Sequence, residues 1–195
     1  MGNVGSIANM LKRSGFEVRL GSSPDDIAEA SKLILPGVGS FDAGMENLHR
    51  LGLPPLLAKK VFNGTRFLGI CLGMQLLFEG SEEGQQPGLG WLRGRCARFR
   101  FAEGTSSLKI PHMGWNDVRP VHRDSLFRDM APEAGFYFVH SYHVVCDDAS
   151  DVLAWATHGY EFPAAVQHEN LYGTQFHPEK SHKYGRALLT RFADS

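Results

Sequence analysis

The 195-residue sequence predicts an α/β fold with a mostly parallel central sheet and an antiparallel extension. Two observations lead to this prediction. Up to about residue 80, short apolar segments alternate with segments of helical periodicity, which is typical of a parallel sheet covered by helices on both faces. Beyond about residue 95, strand-like segments follow one another without long helices between them, which indicates antiparallel pairing.

The first part of the chain contains the alternating elements. Ile7, Met10 and Leu11 have helical spacing, and Gly15 follows as a stop. The Ser-Pro-Asp-Asp stretch at 23–26 predicts a helix start, because it offers a capping hydroxyl, a proline and first-turn acids. The other predicted elements are strands over 16–20, 33–35 and 66–70 and helices over 40–50, 54–62 and 72–79.

The second part of the chain predicts short strands and one final helix. The helix spans 181–192 and places Tyr184, Leu188 and Phe192 on one face. The predicted strands lie near 96–101, 115–119, 136–140, 152–157, 164–168 and 171–176. Residues 82–90 form the most loop-like stretch, and no linker or repeat interrupts the chain. We therefore predict a single domain over residues 1–195.

Composition excludes several classes of protein. A hydrophobic content of 43% and a charged content of 21% are typical of globular proteins and exclude disorder. A formal net charge of -1 offers no basic field for nucleic acid or an anionic membrane surface. No apolar run reaches the roughly 18 residues that span a bilayer. Three dispersed cysteines without an export signal predict a cytoplasmic location.

The most informative motif for function is Gly-Ile-Cys-Leu-Gly at 69–73. A predicted strand ends at Cys71 and a helix begins directly after it, with glycine two positions away on each side. This spacing is that of a nucleophile elbow, in which a strained residue stands at the edge of the sheet and at a helix N-terminus. Free N–H groups there favour a thiolate and can bind an oxyanion. The alternative is a buried structural cysteine beside a packing glycine.

A thiolate nucleophile in acyl transfer needs a base that holds and returns its proton. Among nine histidines, His177 is distinguished by the Pro178 and Glu179 that follow it. In an extended chain, residues two apart project to the same side, so the Glu179 carboxylate can orient the His177 ring. The Cys96 and Cys146 stretches lack the glycine frame, and we interpret these residues as core or surface thiols.

Histidines could also serve as metal ligands. His140 and His143 are the one closely spaced pair, and they lie in a strand-like stretch. An interval of three places their side chains on opposite faces of a strand, so we predict no metal site.

At this point the motifs resemble a known family. The stretches 69–75 (Gly-Ile-Cys-Leu-Gly-Met-Gln) and 175–179 (Gln-Phe-His-Pro-Glu) resemble the class I (triad) glutamine amidotransferases, and Leu-Pro-Gly-Val-Gly at 35–39 matches their oxyanion strand. The stretches 111–116 and 137–143, with Lys-Ser at 180–181, resemble the glutaminase subunits of imidazole glycerol phosphate synthase. The similarity runs along essentially the whole chain and implies the family's three-layer fold.

The resemblance implies a mechanism and its residues. Cys71 would attack the side-chain amide of glutamine, His177 would protonate the leaving ammonia, Glu179 would orient His177, and a glutamyl thioester would be hydrolysed. No metal or organic cofactor is implied. The remaining implied site residues are Gly37, Val38 and Leu72 for the oxyanion hole and Gln75, Glu83, Ser141 and Tyr142 for substrate binding.

The resemblance also implies a partner. In the family, ammonia passes to a (βα)₈-barrel cyclase subunit, where it reacts with a phosphoribulosyl-aminoimidazole nucleotide in histidine biosynthesis. This sequence has no room for that barrel, so we expect a heterodimer with a separate protein. Trp115, Asn116, Tyr137 and Tyr142 are the candidates for the docking face, and aromatic core packing is the alternative role for each.

One departure from the family lies at the N-terminus. Relatives begin with a hydrophobic strand that ends in Asp-Tyr-Gly, whereas this sequence opens inside the motif that follows it. We therefore expect the first family strand to be absent and strand edges to be exposed, at a cost of several kcal/mol. A misassigned start and a true truncation remain alternatives.

Three other functions compete with the glutaminase subunit. The chain could be the amidotransferase subunit of another synthase, for example one that serves anthranilate, aminobenzoate or pyridoxal phosphate synthesis, although the 111–116 and 137–143 motifs argue against this. It could be a truncated, impaired paralogue that only binds the barrel, although the triad residues are all present. A papain-like protease does not suit the parallel-sheet pattern.

Overall fold

The computed structural model describes residues 4–21, 23–101, 108–121 and 125–194. The helices within these residues are α1 (Val4–Arg13), α2 (Pro24–Glu29), α3 (Phe41–Arg50), α4 (Leu53–Phe62), α5 (Leu72–Gln75) and α6 (His182–Asp194). The strands are β1 (Lys32–Gly37), β2 (Arg66–Cys71), β3 (Gly94–Arg98), β4 (His112–Asp117), β5 (Arg119–Pro120), β6 (Gly135–His140), β7 (Tyr142–Cys146), β8 (Val152–His158), β9 (Tyr160–His168) and β10 (Leu171–Thr174). No helix among these residues is both long and apolar enough to cross a membrane.

Six strands form the central sheet in the order β1-β2-β10-β9-β8-β5. The β1, β2 and β10 strands run parallel, and β9, β8 and β5 extend the sheet with antiparallel pairs. Two separate antiparallel ribbons, β3–β7 and β4–β6, complete the fold. The α/β class and the antiparallel extension predicted from the sequence are therefore confirmed.

Alternate residues of β2 lie in two different hydrophobic clusters, one on each face of the sheet. Leu68 packs in the cluster that contains Ile7 of α1 and Leu188 of α6. Its neighbour Phe67 packs with residues of α2, α3 and α4, among them Leu57. Strands that are buried on both faces read as continuous apolar runs, which is why β2 was recognisable. The result is a three-layer arrangement.

Two predicted elements differ in the structure. Residues 16–20 form no strand: Phe16 and Val18 pack on the core while the residues between and after them are exposed, but no described strand lies beside them to form a ladder. Among the described strands, β1 pairs with β2 alone and is therefore an edge of the sheet.

The helix predicted over 72–79 ends at Gln75. Beyond it the backbone groups bond to residues outside the helix: the Glu79 N–H donates to the Gly94 carbonyl, and the Leu77 carbonyl accepts from the Trp91 N–H. The strand β7 was not predicted, since the 141–146 stretch has little alternation to mark it.

Candidate active site

Cys71 occupies the turn between β2 and α5 with φ 55° and ψ -112°. A positive φ is uncommon for a residue with a Cβ, and it costs free energy that the surrounding structure must supply. The residue is 7% exposed, so the sulfur lies in a protected position at the carboxyl end of the strand. This is the geometry that the nucleophile-elbow spacing predicts.

The glycines around Cys71 allow three backbone segments to approach one another. A Cβ on Gly73 would lie 1.8 Å from the carbonyl oxygen of Leu35 in β1, and one on Gly69 would lie 2.5 Å from the carbonyl oxygen of Gly73. Distances this short do not occur for real side chains, and both obstacles are backbone atoms that cannot rotate away. Glycine is therefore required at both positions.

His177 and Glu179 form a buried pair. Nδ1 of His177 lies 2.9 Å from Oε1 of Glu179, and the two side chains are 2% and 1% exposed. Because a carboxylate only accepts, Nδ1 carries a hydrogen and Nε2 is the ring atom left for the nucleophile. The pairing arises differently from the extended-chain prediction: Pro178–Lys180 form a single 3-10 turn, and His177 is its cap.

The charges around His177 suit a proton carrier. Burial disfavours the imidazolium, but the neighbouring Cys71 sulfur and Glu179 carboxylate outweigh it and raise the pKa of His177 to about 9. Within the described residues, Nε2 has no hydrogen bond that meets ordinary geometry. The structure thus brings Cys71, His177 and Glu179 together across more than a hundred residues of sequence.

The predicted oxyanion residues lie beside the elbow. Gly37 is opposite Cys71 in the β1–β2 register, and a Cβ on Gly37 would lie 2.8 Å from the Cβ of Leu72. Leu72 is buried, whereas the Val38 side chain is 43% exposed. The structure therefore places Gly37 and Leu72 against each other, with Val38 following at the surface.

The predicted substrate residues divide into two groups. Gln75 Nε2 donates to the Tyr142 carbonyl at 3.0 Å, and the adjacent Ser141 carbonyl accepts from the Phe99 N–H. Glu83 lies elsewhere, since its Oε2 accepts from the N–H of Phe41 at 2.8 Å.

Glu83 also contributes to the start of α3. Ser40 occupies the N-cap position of α3 but makes no capping hydrogen bond through its side chain. The Glu83 carboxylate satisfies the first N–H of the helix instead.

Three of the four candidate docking residues lie on the β4–β6 ribbon, whereas the fourth, Tyr142, is the first residue of β7. Trp115 pairs with Tyr137, is 52% exposed and stacks on the His182 ring at 5.2 Å between centroids. Asn116 is anchored by its side chain to the Thr157 carbonyl. The Tyr137 carbonyl accepts from the His177 N–H at 2.8 Å, so this surface is attached directly to the turn that carries His177 and Glu179.

Sequence reasoning gave no role to Gln175. Its Nε2 donates to the Cys71 sulfur at 3.7 Å, and its Oε1 accepts from Gln75. Gln175 precedes His177 by two residues, so the alternation that was applied to Glu179 could have placed it on the same side of the chain.

The remaining thiols and histidines also have definite places. Cys96 is fully buried, burial raises its pKa, and the described residues contain no group that could hold a metal ion. The expectation that His140 and His143 lie on opposite faces was wrong. A turn at Ser141 separates them into two strands, and both rings pack on Phe99.

Comparison with known proteins agrees with this geometry. The family model described as glutamine amidotransferase class-I matches residues 1–194. A Methanococcus maripaludis protein named imidazole glycerol phosphate synthase subunit HisH 2 is 49% identical over 193 residues, which cover 98% of this chain and 94% of the relative. A Pseudomonas aeruginosa protein of the same name is 45% identical over 195 residues, which cover 100% of this chain and 95% of that relative.

Among solved structures, that of PurLQS from Thermotoga maritima has a TM-score of 0.67 at 20% identity and covers 97% of this chain and 91% of its own. At this identity the likeness is one of fold. The family match over nearly every residue and the identity to the HisH relatives show that this chain belongs to the class-I glutamine amidotransferases.

Proposed function

We propose that this single domain is the glutaminase subunit of an imidazole glycerol phosphate synthase. It hydrolyses glutamine to glutamate and ammonia, and the ammonia passes to a (βα)₈-barrel cyclase subunit in histidine biosynthesis. Support comes from family membership, from relatives named as subunits of that synthase, and from the strained Cys71 beside the buried His177–Glu179 pair. The free cysteines fit a reducing compartment such as the cytoplasm.

The proposed reaction has two halves. The Cys71 sulfur attacks the amide carbon of glutamine, and the imidazolium of His177 gives its proton to the departing ammonia. Water then attacks the thioester with His177 as the base, which releases glutamate and restores the thiol. Glu179 holds the His177 ring in the required tautomer throughout, as its 2.9 Å hydrogen bond to Nδ1 allows.

Backbone donors beside the sulfur would stabilise the oxyanion. The N–H of Leu72 is the donor next to Cys71, and the Gly37–Val38 peptide lies at the end of β1, against the same turn. Gln75, with the Ser141–Tyr142 backbone, and Glu83 would hold the amino-acid end of the substrate. A flip of the Gly37–Val38 peptide on partner binding would complete the hole, so the isolated chain should be a weak glutaminase.

The partner would dock on the exposed part of the β4–β6 ribbon. Trp115 and Tyr137 present aromatic surface there, the Asn116 amide is bonded to the Thr157 carbonyl, and Lys180 Nζ lies 5.4 Å from the centre of the Tyr137 ring. Aromatic residues with a polar rim are typical of interface centres. Because Tyr137 is bonded to the His177 backbone, a partner seated here would contact the element that carries the base.

The observation that carries the proposal is Cys71 at φ 55° within reach of His177. The test is glutamine hydrolysis with and without the barrel cyclase and its nucleotide, for the natural chain and for Cys71→Ala. We expect strong activation by the cyclase, and no turnover by Cys71→Ala although it still forms the complex.

Other outcomes separate the alternatives. If only the synthase component of a different pathway activates the chain, the assignment to imidazole glycerol phosphate synthase is wrong, whereas the glutaminase activity still holds. Stoichiometric labelling of Cys71 by a glutamine-like diazo-ketone is expected, and a folded chain that is never labelled would identify a non-catalytic binding protein.

A further inference from the structure

We propose that Gln175 is a positioning residue for the Cys71 sulfur, oriented by a hydrogen-bonded chain that runs from Asn116 through His112, His140, the Tyr142 carbonyl and Gln75. This inference rests on the proposed glutaminase function and deepens it. It links the surface that carries the docking candidates with the Cys71 sulfur through side chains and the one Tyr142 carbonyl, separately from the backbone contact between Tyr137 and His177.

The Tyr142 carbonyl determines which atom is the donor in each hydrogen bond between Tyr142, His140, His112 and Asn116. His140 Nδ1 lies 2.8 Å from the Tyr142 carbonyl oxygen, which only accepts, so Nδ1 carries the hydrogen. In a neutral ring, Nε2 of His140 is then an acceptor, and it takes the hydrogen of His112 Nδ1 at 2.9 Å. His112 Nε2 in turn accepts from Asn116 Nδ2 at 3.1 Å.

The orientation of Asn116 agrees with this assignment. Its Nδ2 also donates to the Thr157 carbonyl at 2.8 Å, and its Oδ1 accepts from the Asp117 N–H at 2.9 Å. The amide therefore cannot be turned over without losing bonds at both ends. The chain begins at a donor that is fixed from both sides.

The amide part of the chain is fixed by the same carbonyl. Gln75 Nε2 donates to the Tyr142 oxygen at 3.0 Å, and its second hydrogen points to Gln175 Oε1 at 3.1 Å. This leaves the Nε2 group of Gln175 facing Cys71 Sγ at 3.7 Å. Gln175 is fully buried and Gln75 is 5% exposed, so water does not compete for these bonds.

The hydrogen-bonded chain requires that His112 and His140 are neutral, and their buried surroundings disfavour the charged form of both rings. Both rings are 6% exposed or less. Burial, with a smaller contribution from His158, lowers the pKa of His112 to about 4, and burial lowers the pKa of His140 as well. An N–H donated to a thiolate stabilises that charge, so Gln175 should favour the reactive form of Cys71.

The first experiment measures the alkylation rate of each cysteine by iodoacetamide at pH 7, with peptide mass spectrometry. Loss of one charge-assisted hydrogen bond in Gln175→Met should slow Cys71 alkylation about 10-fold. Cys146 is an internal control, because burial raises its pKa to about 12 and general unfolding would speed its labelling. An unchanged Cys71 rate in Gln175→Met would overturn the proposal.

The second experiment tests whether the chain acts as a unit. His140→Phe should slow Cys71 alkylation about 3-fold, and the double variant with Gln175→Met should be no slower than Gln175→Met alone. His143→Phe is the matched control, since His143 is equally buried against Phe99 but is bonded to Tyr160 instead of the chain. The hydrogen-bonded chain would be contradicted if the rate reductions of His140→Phe and Gln175→Met multiply in the double variant. It would also be contradicted if His143→Phe slows Cys71 alkylation as much as His140→Phe does.

A third measurement needs no substitution. Nitrogen-15 spectra of the natural chain at pH 7 should show His112 and His140 both as neutral Nδ1–H tautomers. An Nε2–H tautomer on either ring would break the chain of donors. Failure of the proposed function can be distinguished from failure of this inference. A protein without glutaminase activity in any complex could still show these tautomers and the slower Cys71 alkylation in Gln175→Met.

Discussion

The parallel end of the sheet and the β4–β6 ribbon contribute to the same site by different means. At the parallel end, backbones approach so closely that glycine is required at Gly69 and Gly73, and the proposed nucleophile Cys71 is held by main-chain geometry. On the ribbon, side chains are the connection: His112 and His140 are opposite each other in the register and share a hydrogen bond. The first means is close approach of main-chain atoms, and the second is hydrogen bonding between side chains of paired strands.

This contrast explains what each region tolerates. A close backbone approach fails when any atom is added, because interiors are packed without spare volume. A side-chain network fails when a proton is added or an acceptor is removed, because buried polar groups must be paired. Steric substitutions should therefore damage the parallel end, and protonation should damage the ribbon.

The largest expected effect is that of Gly73→Ala. The added Cβ would meet the Leu35 carbonyl oxygen, so β1 and the elbow must separate. We expect the free energy of unfolding to fall by about 3 kcal/mol and glutamine turnover to be lost. Urea denaturation and a glutaminase assay measure both effects.

Gly5→Ala is the control for this substitution. Gly5 lies in α1 with open space around its Cβ position, so alanine there should change stability by less than about 1 kcal/mol and raise it. A Gly73→Ala chain as stable and active as Gly5→Ala would contradict the steric account of the elbow.

Trp115→Ala should have an intermediate effect, on complex formation. Removing an exposed aromatic side chain from the proposed docking surface should weaken binding of the proposed barrel cyclase by about 2 kcal/mol, roughly 30-fold. Calorimetry with the purified cyclase measures this. Phe62→Ala removes another exposed aromatic side chain, at the end of α4, and should leave the affinity unchanged. Equal affinities of the natural chain, Trp115→Ala and Phe62→Ala for the cyclase would show that the β4–β6 ribbon is not part of the interface.

The smallest expected effect is on stability in acid. The pKa of His112 is about 4 in the folded chain and near 6.5 in the unfolded chain, so the unfolded chain binds the proton first as pH falls. The stability that the neutral His112 contributes is therefore fully present above pH 6.5 and is lost as pH falls toward 4. Between pH 7 and pH 5, His112 alone should account for about 1–2 kcal/mol.

Urea denaturation at the two pH values measures this loss, and His112→Phe should reduce it by that amount. His168→Phe is the control, because His168 is half exposed and pairs with Asp151 away from the ribbon. An acid loss that is identical in His112→Phe and in the natural chain would show that the neutral ribbon histidines do not matter for stability.

The sequence predicted the parallel end better than the ribbon for a physical reason. Strand periodicity, glycine spacing and helix caps are properties of neighbouring residues, so β2, the Cys71 turn and the Ser23 cap of α2 were all recognisable. The pairing of His177 with Glu179 was also predicted, although a 3-10 turn and not an extended strand produces it.

The rest depends on the register between strands that are far apart in sequence. The His112–His140 contact joins residues 28 apart, and the Gln175–Cys71 contact joins residues 104 apart. No local pattern encodes such contacts, and segment 16–20 illustrates the converse: it alternates as a strand does, but an extended segment becomes a strand only beside a partner.

The central claim is that Cys71 and His177 share a proton, and a nitrogen-15 titration of His177 tests it most directly. In the natural chain the pKa of His177 should lie near 9, because the Cys71 sulfur and the Glu179 carboxylate outweigh burial. In Cys71→Ala one of these two groups is gone while burial remains, so the pKa should fall toward the ordinary 6.5. The same pKa in both chains would contradict the account.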